Sequence, residues 1–156
     1  MLGSALFRFF SRDSDFITLG TVRDYSSLKL FTAELHDTLL PNVHLEGELG
    51  ILSAISFSKP DVVINCVGII KQLPNASNYL ESLAINATLP HRLAKYCDVV
   101  GARLIHFSTD CVFSGKQGMY KEDDIPDAYD LYGRTKFLGE VSYPNSITLR
   151  TSIIGH

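Results

Sequence analysis

At 156 residues the chain has the length of one domain and enough material for a sizeable core. With 46% hydrophobic and 20% charged residues it is patterned as a globular protein rather than a disordered one; a net charge of −3, with no segment collecting Lys and Arg, argues against nucleic acid as a partner. No apolar run reaches the roughly 18 residues a membrane helix needs, and no signal peptide is expected ahead of the domain. Three cysteines (Cys66, Cys97 and Cys111) form no CxxC pair. They fit small core residues in a reducing cytoplasm better than a disulfide framework.

Ser4 to Ser11 is expected to open the chain as a helix, with Ala5, Leu6, Phe9 and Phe10 spaced for one buried face. Phe16 to Val22 reads as a strand ending at Gly20. Tyr25 to Leu40 is mixed and is taken as one helix with irregular ends. Val43 to Glu46 is expected as a short strand, and Leu49 to Phe57 as a helix. Lys59-Pro60-Asp61 breaks that helix, and the apolar run from Asp61 to Val67 predicts a strand buried on both faces. Asn78 to Val99 predicts a long helix stopped by Gly101. Arg103 to Phe107 is the next strand, followed by an acidic loop, a helix from Leu131 to Val141 and a strand from Ile147 to Thr151.

There are no repeats and no linkers, so residues 1–156 read as one α/β domain. Right-handed crossovers would assemble the strands into a doubly wound parallel sheet of Rossmann type. Ligands of such sheets sit beyond the carboxyl ends of the strands. That singles out Gly20 to Arg23, Asn65 to Gly68 and Ser108 to Val112.

Tyr132-Gly133-Arg134-Thr135-Lys136 carries the most chemistry. Residues four apart on a helix share a face, so a phenol and an ammonium can serve one site. The cation would draw the Tyr132 pKa down from its ordinary value of about 10, making it a usable proton donor to a carbonyl oxygen. The spacing alone is common in helices. Ser108-Thr109-Asp110-Cys111-Val112-Phe113 adds hydroxyls at a strand's carboxyl end, where one could bond the same oxygen, although Ser/Thr turns after strands are also common. Asn65-Cys66-Val67-Gly68 ends the preceding strand, and Gly68 lets backbone approach a ligand closely.

At the front, Leu2-Gly3-Ser4 opens a helix whose N-terminus suits an anion. After the second strand, Gly20-Thr21-Val22-Arg23 has no acidic residue to grip a ribose 2′-hydroxyl. Arg23 instead suits a 2′-phosphate, which favours NADPH over NADH, while a solvent-exposed arginine is the plain alternative. Glu46 is placed near an adenine. The acidic run Glu122 to Asp127 reads as a solvated turn rather than a metal site. His91, His106 and His156 receive no role. The two N-x-S/T sequons, at Asn75 and Asn86, would matter only in a secreted chain.

Together the stretches Lys59 to Asn65, Ser108 to Gly115, Tyr132 to Lys136 and Leu149-Arg150-Thr151-Ser152 resemble the extended short-chain dehydrogenase/reductase family. Within it the chain is most similar to the dTDP-4-dehydrorhamnose reductase-like (RmlD-type) sugar-nucleotide reductases. The resemblance implies Tyr132 as catalytic acid, Lys136 as the residue that binds the nicotinamide ribose and tunes Tyr132, and Thr109 rather than Ser108 as the catalytic hydroxyl. It implies that Asn65, Cys66, Val67 and Gly68 line the cofactor and that Leu2 and Gly3 lie near its pyrophosphate. The implied reaction is NADPH-dependent reduction of a 4-keto deoxysugar nucleotide for surface polysaccharide synthesis; the substrate is the expected partner, and a homodimer is left open.

Two departures accompany the resemblance. The family's glycine-rich first strand and its C-terminal substrate-binding part have no counterpart in the sequence, so the chain reads as a partial domain, expected to bind NADPH weakly or not at all when made alone. A non-catalytic NAD(P)-binding regulatory subunit is the competing reading. The joint presence of Thr109, Tyr132 and Lys136 favours an enzyme, because a pure binding role does not need an acid.

Overall fold

The computed structural model describes residues 2–73 and 76–152, so Asn75 and His156 lie outside the described residues. It is an α/β chain with every strand pairing parallel. Contacts divide it into two compact units with the boundary at Pro60.

In the first unit, α1 (Leu2–Phe10) buries Phe7, whose ring meets Phe31 edge-on at 5.5 Å. β1 (Gly20–Thr21) pairs with β2 (Leu39–Leu40), Gly20 opposite Leu39. A Cβ at Gly20 would lie 2.8 Å from the Leu39 Cδ2 and 3.0 Å from the Phe7 ring, so these side chains would have to shift to admit one. The strand expected over Phe16 to Val22 shrinks to these two residues, and Ile17 stands fully exposed. Tyr25 to Leu40 is not one helix. Two 3-10 segments, Tyr25–Leu30 and Ala33–Thr38, replace it, the first capped by Asp24, which accepts the Ser27 N–H at 2.9 Å. Short polar side chains here compete with α-helical hydrogen bonding.

The strand expected over Val43 to Glu46 forms instead at Leu39–Leu40. Pro41 and the left-handed Asn42 (φ 60°) end the pairing, leaving Val43 one bond to the Val22 carbonyl at 3.1 Å. α2 (Glu48–Ser58) buries Ile51 and Ile55 and stops at Lys59, which is left-handed at φ 44°.

The second unit holds β3 (Val62–Asn65), β4 (Arg103–Ser108) and β5 (Ser146–Arg150) in the order β3-β4-β5. Their register puts Asn65 beside His106 and His106 beside Thr148. β3 was expected to be buried on both faces, yet Val62 is exposed and burial builds only toward Asn65, because β3 is an edge strand of its sheet. The long helix runs without a break as α3 (Tyr79–Ser82), a π-helical stretch (Leu83–Thr88) and α4 (Leu89–Val100). Gly101 ends it in the left-handed region at φ 75°, as its position predicts. α4 packs on β4, and Leu93, Ala94, Cys97 and Leu104 form the core between them. α5 (Leu131–Leu138) follows the acidic loop.

Candidate active site

The carboxyl ends of β3 and β4 and the start of α5 bring the predicted residues of the second unit together. Two glycines set the approach of α5. A Cβ at Gly133 would lie 2.3 Å from the Cys111 carbonyl oxygen, and one at Gly139 would lie 1.9 Å from that of Asn86. Only bare backbone fits at either point, so α5 presses against both the turn after β4 and the π-helical turn. Asp130 caps α5, its carboxylate accepting the Gly133 N–H at 3.0 Å. Tyr132 and Lys136 follow one helical turn apart.

Thr109 caps the short 3-10 turn after β4, its hydroxyl accepting the Cys111 N–H at 3.1 Å. The same hydroxyl donates to Asp110 at 3.3 Å, and the Thr109 side chain lies near enough to Tyr132 to favour the ionised phenol. Ser108 is turned elsewhere and donates to Glu140 at 2.7 Å. Of the two adjacent hydroxyls, Thr109 is therefore the one that faces Tyr132.

The electrostatics depart from the sequence expectation in one respect. Lys136 was to draw the Tyr132 phenol downward, but burial raises the phenol above its ordinary value. The Thr109 hydrogen bond and the charge of Lys71 pull the other way, while Cys111 and Asp110 add to the rise. The Lys136 ammonium is directed to the end of β4, donating to the Phe107 carbonyl at 2.7 Å. Burial pushes Lys136 itself down to about 8.

Gly68 borders this amine: a Cβ there would come to 4.0 Å from Lys136 Nζ and 3.4 Å from Asn86 Oδ1. An ammonium has three donors, and Phe107 takes one. The others face an open glycine backbone, a donor set suited to the hydroxyls of a ribose. Asn65 accepts the Val67 N–H at 3.1 Å and donates to His106 Nδ1 at 3.1 Å. Burial holds His106 neutral, its pKa lowered to about 3, so the ring accepts that bond, and its Nε2 has no partner among the described residues. Cys66 is half-buried, with its thiol pushed up to about 11 by desolvation, which makes it a poor nucleophile. Val67 is 39% exposed.

The remaining predicted residues lie in the first unit. Leu2 and Gly3 form the first turn of α1. Arg23 is ion-paired with Glu46, so the guanidinium intended for a 2′-phosphate is already engaged by a carboxylate. The residue intended for adenine is that carboxylate.

Asn86 was missed as a structural anchor. It is 1% exposed, accepts the Ile69 N–H at 2.8 Å, and donates to the Ile69 carbonyl at 2.9 Å and the Thr135 hydroxyl at 3.3 Å. It thus ties the loop after β3 to α5 between Tyr132 and Lys136, from inside a π-helical turn of the kind often found at functional sites. As the acceptor of the Asn86-Ala87-Thr88 sequon it is buried and out of reach of glycosylation in the folded chain. A lone Asn in the apolar run Leu83-Ala84-Ile85-Asn86-Ala87 was the available signal.

Glu140 and Arg150 were also missed. They form a partly buried pair, with Arg150 Nε and Nη2 each 2.8 Å from a Glu140 oxygen. Arg150 also donates to the Glu122 carbonyl at 3.0 Å and lies 5.1 Å over the Phe113 ring, bracing the loop that leads to α5.

The dTDP-4-dehydrorhamnose reductase of Mycobacterium tuberculosis is 40% identical over 101 residues, 59% of this chain and 33% of that protein. Methionine adenosyltransferase 2 subunit beta of Xenopus laevis is 36% identical over 103 residues, 63% of this chain and 29% of that protein. A hypothetical dTDP-4-dehydrorhamnose reductase from Sulfolobus tokodaii superposes with a TM-score of 0.77 at 26% identity, covering 96% of this chain and 51% of that one. The Bacillus anthracis dTDP-4-dehydrorhamnose reductase in complex with NADP gives 0.65 at 21% identity over 85% of this chain and 52% of that one, a likeness of fold. The chain thus spans about a third of the length of the curated relatives and about half of these solved structures. The model of the RmlD substrate binding domain matches residues 1–154, and the chain belongs to that family.

Proposed function

We propose that this chain forms part of an NADPH-dependent reductase acting on a 4-keto deoxysugar nucleotide. The observation that carries the reading is the packing of α5, which bears Tyr132 and Lys136, against the turn after β4 that bears Thr109, with the Lys136 ammonium at the end of β4. When bound, the cofactor supplies the hydride that reaches the carbonyl carbon. The Thr109 hydroxyl holds the carbonyl oxygen, and Tyr132 gives up its proton to that oxygen as charge develops there. Lys136, beside Gly68, binds the ribose of the nicotinamide through its remaining N–H donors. Asn65 to Gly68 line the same side, and Leu2 and Gly3 offer backbone N–H groups to a pyrophosphate.

NADPH is favoured because Arg23 retains donors beyond the one given to Glu46, and because the Bacillus anthracis protein sharing this fold is solved with NADP. The name of the Mycobacterium tuberculosis relative supports the substrate class. Three free cysteines support a cytoplasmic setting, and no helix among the described residues is long and apolar enough to cross a membrane. A homodimer belongs to the same proposal, to be decided by light scattering.

The test is reduction of dTDP-4-dehydrorhamnose by the full-length gene product, followed through consumption of reduced nicotinamide. Tyr132→Phe should abolish turnover and keep cofactor affinity. The similarity to methionine adenosyltransferase 2 subunit beta favours the second reading, a non-catalytic binding subunit. Tight partner binding by a wild-type protein that turns over no sugar nucleotide would establish that reading and overturn the first.

A further inference from the structure

The loop that leaves β3 is held at Ile69 by Asn86, and two residues later it presents Lys71. The Lys71 ammonium lies 3.3 Å from one oxygen of Asp130 and 5.7 Å from the centre of the Tyr132 ring. The other oxygen of Asp130 caps α5 at Gly133. One carboxylate therefore fixes the start of the helix that carries Tyr132 and tethers a cation over its ring. A half-exposed lysine on a loop would ordinarily extend into water. This one is drawn back across the site by a partner 59 residues away.

We infer that Lys71 is a second cation of the site, held by Asp130 above Tyr132 to support the negative charge that develops on the phenol when its proton leaves. The inference rests on the reductase reading and adds to it a residue that acts through Tyr132, a tuning group rather than one that touches substrate. The groups around the phenol come from three directions. Lys71 faces it from the loop after β3, and Thr109, Asp110 and Cys111 from the turn after β4. Asp130 and Lys136 belong to its own helix and cap. Asp110 and Cys111 oppose ionisation. Lys136 donates to the Phe107 carbonyl, whereas Lys71 is a cation placed over the phenol ring itself. Because Lys71 is about half exposed, water and salt weaken its field without removing it.

The test compares wild type, Lys71→Gln and Lys71→Arg in the full-length gene product, reading turnover against pH with saturating reduced nicotinamide and sugar nucleotide. Loss of the cation should move the alkaline limb of kcat upward by about half a unit to one unit, with KM for the cofactor unchanged. Lys71→Arg should keep the wild-type limb. Added salt should move the wild-type limb and leave that of Lys71→Gln in place. A limb in Lys71→Gln that coincides with wild type overturns the inference and leaves the reductase reading intact. If wild type shows no turnover, that reading fails, and the ultraviolet titration of Tyr132, taken as the difference from Tyr132→Phe, decides the electrostatic contact alone. An unshifted phenol in Lys71→Gln would then overturn it, and an upward shift would support it.

Discussion

Gly133→Ala separates the geometry of the site from the stability of the fold. A methyl at 133 would sit 2.3 Å from the Cys111 carbonyl oxygen and 2.5 Å from the Ala128 Cβ, where ordinary contact begins at 3.4 Å. Neither obstacle is the end of a flexible side chain, so α5 and the turn after β4 must part by the difference between 3.4 and 2.3 Å, about 1 Å. Overpacking of this kind costs roughly 1–3 kcal/mol, while alanine in place of glycine within a helix returns about 1 kcal/mol. The net loss of stability is thus about 0–2 kcal/mol, and the chain should still fold. A displacement of about 1 Å nevertheless shifts the Tyr132 phenol relative to the turn that carries Thr109, and a misplacement of that size costs about 100-fold in rate. Urea unfolding gives the first quantity, and consumption of reduced nicotinamide with sugar nucleotide gives the second. Turnover near the wild-type level in a folded Gly133→Ala protein would refute the claim that this contact sets the catalytic geometry.

Asn86→Ala strips the Ile69 N–H and carbonyl of their side-chain partner, which should cost about 2–4 kcal/mol in urea unfolding; a change within error of zero would mean that water replaces the side chain. Glu140→Gln leaves the partly buried Arg150 guanidinium without its counter-charge, a loss on the order of 1–2 kcal/mol. The double variant with Arg150→Met should lose less than the two single losses added, and simple additivity in a double-mutant cycle would count against the pairing. Lys136 titrates at about 8 when folded against an ordinary 10.5, so between those values the unfolded chain holds the extra proton. Its contribution is present above 10.5 and is lost as pH falls through about 8, which carbon NMR of the lysine side chains would detect as one amine titrating near 8. His106 follows the same sign at lower pH: its stabilisation is full above 6.5 and is lost as pH falls toward about 3, and an imidazole that protonates near 6.5 in the native state would contradict its burial.

The sequence by itself determined the parallel α/β class, the strands β3, β4 and β5 to within a few residues, and the long helix with its glycine stop at 101. Spacing alone put Tyr132 and Lys136 on one helical turn and a hydroxyl just after β4, while the choice of Thr109 over Ser108 came from the family resemblance. The first unit was less legible. Gly20–Thr21 and Leu39–Leu40 are too short to show a period, and the polar turns between them resemble weak helix. Only the tertiary structure decided which groups become partners. Asn86 reaches Ile69 across 17 residues and Thr135 across 49, Ser108 turns to Glu140 while its neighbour Thr109 faces Tyr132, Arg23 is taken by Glu46, and Lys71 finds Asp130 at a distance of 59 residues. Local spacing encodes which face a residue occupies, but what that face meets depends on how distant segments pack, and in this site the packing assigns the hydrogen bonds and the charges.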